Sequence, residues 1–556
     1  MKLSIEVAIV SAFFIVALYL GPAAMLNHTV NHPFPYAYLA SDAFQHQVRA
    51  DAIKETGNFK YETDYISLGL TGVEGRYPPG LYHLAVLFGN TAGIPVYDAI
   101  VFLVYFFAVI SMLIMFFVIK HFNSTVAILS LPCSMLIFSF PPIVGFLWGH
   151  WPSLLGQVFL IGFIWVLINN QIKYQFIFLA LFLASIIITH TSEAIFAVLL
   201  LGSVFLYEVM QKGFSLGRIV NMSSGVVIAF IITSYFLIIF NGTWLTAQSY
   251  SFHVMPIWEG NPGFYLTGFG LLLVIFALGM ISSLTKMKDM PLPPVIGFIM
   301  LLIGFTNLIG FNFRAFQIRF FWPLYLSIFF GLGIYMILKL LVRKWGMLHN
   351  IIAFFLFMIL LSGIISVPIL AQAKTHLVPS VPTLYKSSSP GIMNQYHWDM
   401  LQWLSMNTEK SAKVYFFYGD LYSQDALLRN AKRVHAQVDV GDFIESLQNR
   451  TIRRYYLTEV PGDSGGMLGK RESMFRFNDA MSELPKDYPY GRKDICLYNY
   501  FVFDKVSGQQ ALAQYNLLIA QDLLKNTATK AVYQNEVAVI IKNGLVGGDC
   551  IAERPI

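Results

Sequence analysis

The chain has 556 residues, of which 56% are hydrophobic and only 12% charged, with a formal net charge of +6. Mean hydropathy is +0.60; a soluble domain is charged at about a quarter of its positions, so this composition describes an integral membrane protein. No run of Lys and Arg exceeds two residues, so the positive charge reads as basic cytoplasmic loops and excludes nucleic acid as a partner.

The first apolar run, 5–26, is too long for a secretory signal and lacks a small-x-small cleavage site, which makes it a retained span. Further runs long enough to cross a bilayer follow at 97–119, 124–146, 152–170, 174–190, 193–211, 218–241, 263–284, 292–311, 320–342 and 350–371, about eleven transmembrane helices in all. The shorter run 80–94 is expected to dip into the membrane, since a full span there would invert everything after it. With the N-terminus inside, Lys120, Lys173, Lys212, Arg218, Lys286, Lys288, Lys339, Arg343 and Lys344 fall in cytoplasmic loops. The opposite connections WGHWPS, THTSEA and 242–262 carry no Lys or Arg, in keeping with the positive-inside rule. That orientation puts 27–96 and everything beyond 371 outside the cytoplasmic membrane.

Domain organisation follows. Residues 1–371 form the transmembrane domain with a first external loop, 27–96. Residues 372–556 form an extracytoplasmic soluble α/β domain, entered through the Ser/Pro-rich linker 379–391. Alternating apolar stretches predict strands at 413–418, 433–438, 452–458, 500–504 and 536–542, with helices at 397–406, 420–430, 441–449 and 508–525. No internal repeat is evident.

Just outside the first span, SDAFQHQVRADAIKETG places Asp42, His46 and Arg49 at intervals of four and three, one face of a helix. Two readings stand: a functional face, or an acid at a helix start with a solvated arginine. The segment runs on to RYPPGLYH, a Pro-Pro entry into an apolar helix.

With an acid just after the first span, a long first external loop, the YPPGLYH return, many further spans and a C-terminal external α/β domain, the chain resembles the GT-C superfamily of membrane glycosyltransferases. SDAFQH and YPPGLYH are most similar to its poorly characterised prokaryotic members. The resemblance implies an enzyme that transfers a sugar from a polyprenyl-phosphate carrier to an extracytoplasmic glycan, lipid or protein acceptor. It implies Asp42 as catalytic general base, taking the proton of an acceptor hydroxyl, with inversion at the anomeric carbon and His46 and Arg49 as positioning residues. The phosphate leaves as a stable anion, so cations to hold it suffice.

Arg314 and Arg319, in GFNFRAFQIRFFWP between two spans on the outer side, are the candidate cations, because arginine offers phosphate a permanent bidentate fork; interfacial anchoring is the other role open to them. His190 and Glu193 at an external turn line the same cavity or cap a helix. Glu259, with His253 and Trp258, lies in the long external loop 242–262, a lid or a mobile polar connection. His83 in the YPPGLYH return is a pocket residue or a satisfied interfacial one. Trp148, His150 and Trp151 are read as an interfacial aromatic belt.

WGHWPS has no carboxylate, unlike the metal-binding external loops of oligosaccharyltransferases. No metal and no other cofactor is therefore expected, as in protein mannosyltransferases or the lipid A aminoarabinose transferase. Cys496 and Cys550 in the external domain form a disulfide or stay as two buried thiols. Asn27, Asn241 and Asn449 sit in glycosylation sequons. The competing classes are a secondary transporter, for which repeated halves and a broken pair of spans are missing, and an inactive scaffold with the same fold.

Overall fold

Proline and glycine decide where the apolar runs continue as helix. A computed structural model describes residues 5–25, 33–36, 38–58, 65, 77–169, 171–247, 257–285, 287–311, 314–341, 391–417, 425–437, 498–506, 513, 516–517, 520–521, 523–525, 527–544 and 546. The described residues fall into two compact units. The first draws on Met1–Val30, Tyr77–Gly242 and Met255–Ser389; the second draws on Asn31–Arg76, Thr243–Val254 and Pro390–Ile556.

In chain order the helices are α1 (Ile5–Met25), α2 (Ser41–Thr56), α3 (Gly80–Ala92), α4 (Val96–Lys120), α5 (Ser124–Ser134), α6 (Val144–Leu147), α7 (Trp151–Ile168), α8 (Gln175–Ile187), α9 (Thr191–Lys212) and α10 (Leu216–Ala247). They continue with α11 (Ile257–Gly260), α12 (Pro262–Thr267), α13 (Leu272–Leu284), α14 (Leu292–Ile303), α15 (Phe316–Phe320), α16 (Trp322–Tyr325), α17 (Ser327–Leu341), α18 (Gln395–Asn407) and α19 (Asp425–Leu428).

All but α2, α18 and α19 belong mainly to the first unit. Among the described residues five helical stretches are long and apolar enough to cross a membrane: Val96–Lys120, Trp151–Ile168, Thr191–Gln211, Leu216–Ile238 and Trp322–Leu340. Shorter apolar helices occupy Ile5–Leu20, Ser124–Phe138, Gln175–Ile187, Leu272–Leu284 and Leu292–Ile303. These ten stretches coincide with ten of the apolar runs read from the sequence; 350–371 lies outside the described residues.

Several runs are not single helices. The run 124–146 passes from α5 through a 3-10 turn, Met135–Phe138, into Pro141-Pro142, where neither residue can donate to a helical carbonyl. The run 263–284 breaks between α12 and α13, where Gly270 adopts φ 51°. Close backbone approach packs α13 on α17: a Cβ at Gly279 would lie 1.8 Å from the Phe329 carbonyl oxygen, and one at Gly333 would lie 2.2 Å from that of Ile275. Only glycine permits that spacing, the usual device where lipid supplies no hydrophobic drive between helices.

Among the described residues of the second unit, a five-stranded sheet runs in the order β2-β1-β3-β5-β4. Its strands are β1 (Lys413–Phe416), β2 (Val434–Gln437), β3 (Tyr500–Asp504), β4 (Thr529–Gln534) and β5 (Ala538–Asn543). β1 pairs in parallel with β2 and β3, and β3-β5-β4 is antiparallel. Every residue of β3 is buried, the apolar run Tyr500–Phe503 as well as Asp504, in keeping with a central strand. β4 is a strand the sequence pattern misses: TKAVYQ is largely polar and, among the described residues, sits at the sheet edge paired with β5. Expected elements at 441–449 and 452–458 lie outside the described residues. α18 is capped at both ends, the Asn394 side chain accepting from His397 N at 2.9 Å and Arg433 donating to the carbonyls of Ser405 and Thr408 at 2.8 and 2.7 Å.

Candidate functional site

Helix α2 starts from Ala40 in extended backbone and stops at Gly57, whose left-handed φ of 66° lets its N–H reach the Ile53 carbonyl at 2.8 Å. Asp42 in its first turn and Lys54 in its last complement the helix dipole. Asp42, His46 and Arg49 form one stripe along it, His46 buried and the other two partly exposed. Arg49 reaches the Gln45 carbonyl at 3.5 Å. The opposite stripe, Gln47, Asp51 and Glu55, faces residues of the C-terminal domain: Gln47 donates to Asp51 Oδ2 at 2.5 Å and to Asn430 Oδ1 at 2.9 Å, and Lys432 pairs with Glu55.

In the first unit, the YPPG turn meets the turn before α9. Gly80 N donates to the Ile188 carbonyl at 2.8 Å, and a Cβ at Gly80 would come within 2.8 Å of that oxygen and of Thr189 Oγ1. The Tyr77 and His190 rings lie 6.2 Å apart between centroids. His190 Nδ1 bonds Glu193 Oε2. Glu193 is fully buried in the first turn of α9, and its Oε1 accepts from Ser153 Oγ at 2.7 Å and Gln157 Nε2 at 3.0 Å. Tyr325 donates in turn to Gln157 Oε1 at 2.7 Å. A buried carboxylate is tolerated when it is this fully bonded. His83, three residues past Gly80, is on the exposed side of α3.

Arg319 is completely buried. Its Nε donates to the Gly304 carbonyl at 2.7 Å, one terminal nitrogen donates to the Glu259 carbonyl at 2.9 Å, and the other bonds the Asn307 side chain. Asn307 donates onward to the Gly260 carbonyl at 2.8 Å, and the guanidinium lies 5.8 Å from the Tyr265 ring. Arg319 thus ties α11, which holds the buried Glu259, to the chain between α14 and α15. Burial lowers its guanidinium to about 10. Arg314 differs: it is partly exposed, in left-handed backbone at φ 53°.

The structure brings together one residue that the sequence reading assigned to an aromatic belt. His150 packs against the Phe316 and Phe320 rings at 5.6 and 5.4 Å. Desolvation first, then the charges of Arg314 and His190, pushes it down to about 3, so it is neutral at ordinary pH. His150, His190 and Arg314 are therefore electrostatic neighbours, and Glu193 bonds His190 from the first turn of α9. Trp151 also corrects the belt reading: it is buried, with its indole N–H on the Phe146 carbonyl at 2.8 Å. The signal for His150 was present as a lone histidine in a loop without charges.

His253, Cys496, Cys550, Asn27, Asn449 and the side chains of Asn241 and Trp258 lie outside the described residues. Among the described residues, no three His, Cys, Asp or Glu come together in a metal-holding arrangement.

No family model matches the chain, and no curated protein matches it. Several solved structures do. ArnT from Cupriavidus metallidurans bound to undecaprenyl phosphate aligns at TM-score 0.52 and 12% identity over 98% of this chain and 99% of that one. The Archaeoglobus fulgidus oligosaccharyltransferase tethered to an acceptor peptide aligns at 0.51 and 12% over 92% and 72%. The arabinofuranosyltransferase AftD from Mycobacteria aligns at 0.52 and 11% over 97% and 42%. In the complex of the archaeal enzyme, AglB, with an inhibitory peptide and a dolichol-phosphate, the chain spans 64% of the neighbour's length. The chain shares its fold with ArnT, the archaeal oligosaccharyltransferase and AftD.

Proposed function

We propose that this protein is a multi-pass membrane glycosyltransferase that moves a sugar from a polyprenyl-phosphate carrier to an acceptor outside the cytoplasmic membrane. The observation that carries this reading is an alignment end to end with ArnT, a protein captured with undecaprenyl phosphate. The reading includes eleven spans, a cytoplasmic N-terminus, and an extracytoplasmic soluble domain from about residue 372, in keeping with the loop charges.

In the proposed reaction Asp42 takes the proton of the acceptor hydroxyl as its oxygen bonds the anomeric carbon. The bond from that carbon to the carrier phosphate oxygen breaks, and the phosphate departs as an anion; displacement from the opposite face inverts the centre. Asp42 suits this role in being partly exposed at a helix start, whereas Glu193 and Glu259 are buried. Arg314 is the better candidate for the leaving phosphate, because it is partly exposed while the Arg319 fork is engaged by Gly304, Glu259 and Asn307. Glu193 holds His190 by its Nδ1, which fixes the ring beside Tyr77 for hydrogen bonding to the donor headgroup. His46, Arg49, His83 and Glu259 are assigned to substrate positioning. No step calls for a metal, since the leaving group is already a stable anion.

The test is turnover by purified protein in liposomes made with lipid extract from the source cells. Wild type is expected to convert a polyprenyl-phosphate sugar to free polyprenyl phosphate, read by mass spectrometry, and Asp42→Asn is not. Solute uptake with no carrier consumption would instead identify a transporter.

A further inference from the structure

The Asp42 helix is built into the same compact unit as the C-terminal domain, and three ties run along its length. At its entry the Tyr38 carbonyl accepts from Ile392 N at 2.9 Å, and Tyr38 packs edge-on against Phe44 at 5.0 Å. At its middle Gln47, wholly buried, bridges Asp51 and the buried Asn430. At its end Glu55 meets Lys432.

Asn430 is itself fixed, its amide donating to the Leu427 carbonyl at 3.1 Å amid the buried run Ala426, Leu427 and Leu428. That run continues through Lys432 to β2, which pairs with β1. A continuous chain of bonded residues therefore leads from α2 into the sheet. Nine residues at about 100° each put Asp51 half a turn round the helix from Asp42. The tied face and the Asp42 face are thus back to back.

We infer that the C-terminal domain is the frame that positions the Asp42 helix, with Gln47, Asp51 and Asn430 as positioning residues. A helix of 16 residues is marginal in isolation and takes its stability from what it packs on. Its catalytic use rests on the reading of Asp42 as the base; the mechanical role does not. A base must sit within hydrogen-bond reach of the acceptor hydroxyl, so a loosened helix lowers turnover while leaving carrier binding intact.

The experiment is hydrogen exchange on the full chain in nanodiscs, comparing wild type, Gln47→Ala, Asn430→Ala and the double variant. Each single change is expected to speed exchange of the α2 amides about tenfold, as loss of the buried Gln47–Asn430 hydrogen bond does, with β3 and β5 amides unmoved. Because both changes break the Gln47–Asn430 bond, the double variant is expected to lose less protection than the sum of the two single changes. Undecaprenyl phosphate binding is expected to stay within about twofold of wild type while carrier turnover falls about tenfold. Unchanged α2 exchange in both single variants would overturn the inference. So would equal loss of protection across the sheet in both, which would make these residues general stabilisers. If α2 loosens as expected but Asp42→Asn turns over normally, the frame stands and the catalytic reading fails.

Discussion

Gly156 lies against Glu193: a Cβ built on the glycine would sit 3.0 Å from the glutamate Cγ and 3.2 Å from its Cβ. The buried carboxylate and its bonds to Ser153, Gln157 and His190 therefore depend on a missing side chain one helix away. Gly156→Ala is expected to displace Glu193 by a few tenths of an ångström and cost about 1–3 kcal/mol. Thermal unfolding in detergent reads this as a lowered Tm, and an unchanged Tm would mean the network adapts freely.

Arg314 and Arg319 separate by readout. Arg319→Lys keeps a charge but loses the fork that reaches Gly304, Glu259 and Asn307 together, and is expected to lower stability by about 2–3 kcal/mol. Arg314→Gln is expected to leave Tm nearly unchanged and weaken undecaprenyl phosphate binding about tenfold. Equal binding in wild type and Arg314→Gln would remove Arg314 from the phosphate site.

Desolvation raises Asp51 from 3.8 to about 6, against the lowering by Gln47 and Lys432. The sign is opposite to that of a salt-bridged carboxylate. A folded-state pKa above the unfolded one means the neutral acid favours the fold, so this contribution is present below about pH 4 and is lost as pH rises through about 6. Unfolding of the full chain from pH 4.5 to 7 is expected to have a component of falling stability that Asp51→Asn abolishes. An identical pH profile in the variant would show that Asp51 titrates normally.

Carrier turnover is expected to survive EDTA and to gain nothing from added Mn²⁺, because the proposed chemistry needs only a base and a cation for the leaving phosphate. Activity lost to chelator and restored by Mn²⁺ would require a metal-dependent mechanism instead.

Local rules carried the sequence reading some distance. Asp42, His46 and Arg49 were legible as one face because a helix start, a helical spacing and a terminal glycine all lie within twenty residues. The apolar runs were legible as membrane helices, but the break at Pro141-Pro142 was absorbed into one span because a run of hydropathy does not register a missing backbone donor. β4 escaped because an edge strand keeps a polar face that resembles loop sequence. The bonding of Arg319 could not be read at all. Its partners at 259, 304 and 307 are two backbone carbonyls and an amide brought together by tertiary packing, and backbone groups leave no signature in composition. The same holds for Gln47 and Asn430, 383 positions apart.

The central claim is that Asp42 is the base of a sugar transfer outside the cytoplasmic membrane. Mass analysis of surface glycans and lipids from cells carrying wild type or Asp42→Asn tests it most directly. The account predicts loss of one sugar from one class of molecule at normal protein level. Identical glycans and lipids in the two strains would contradict it.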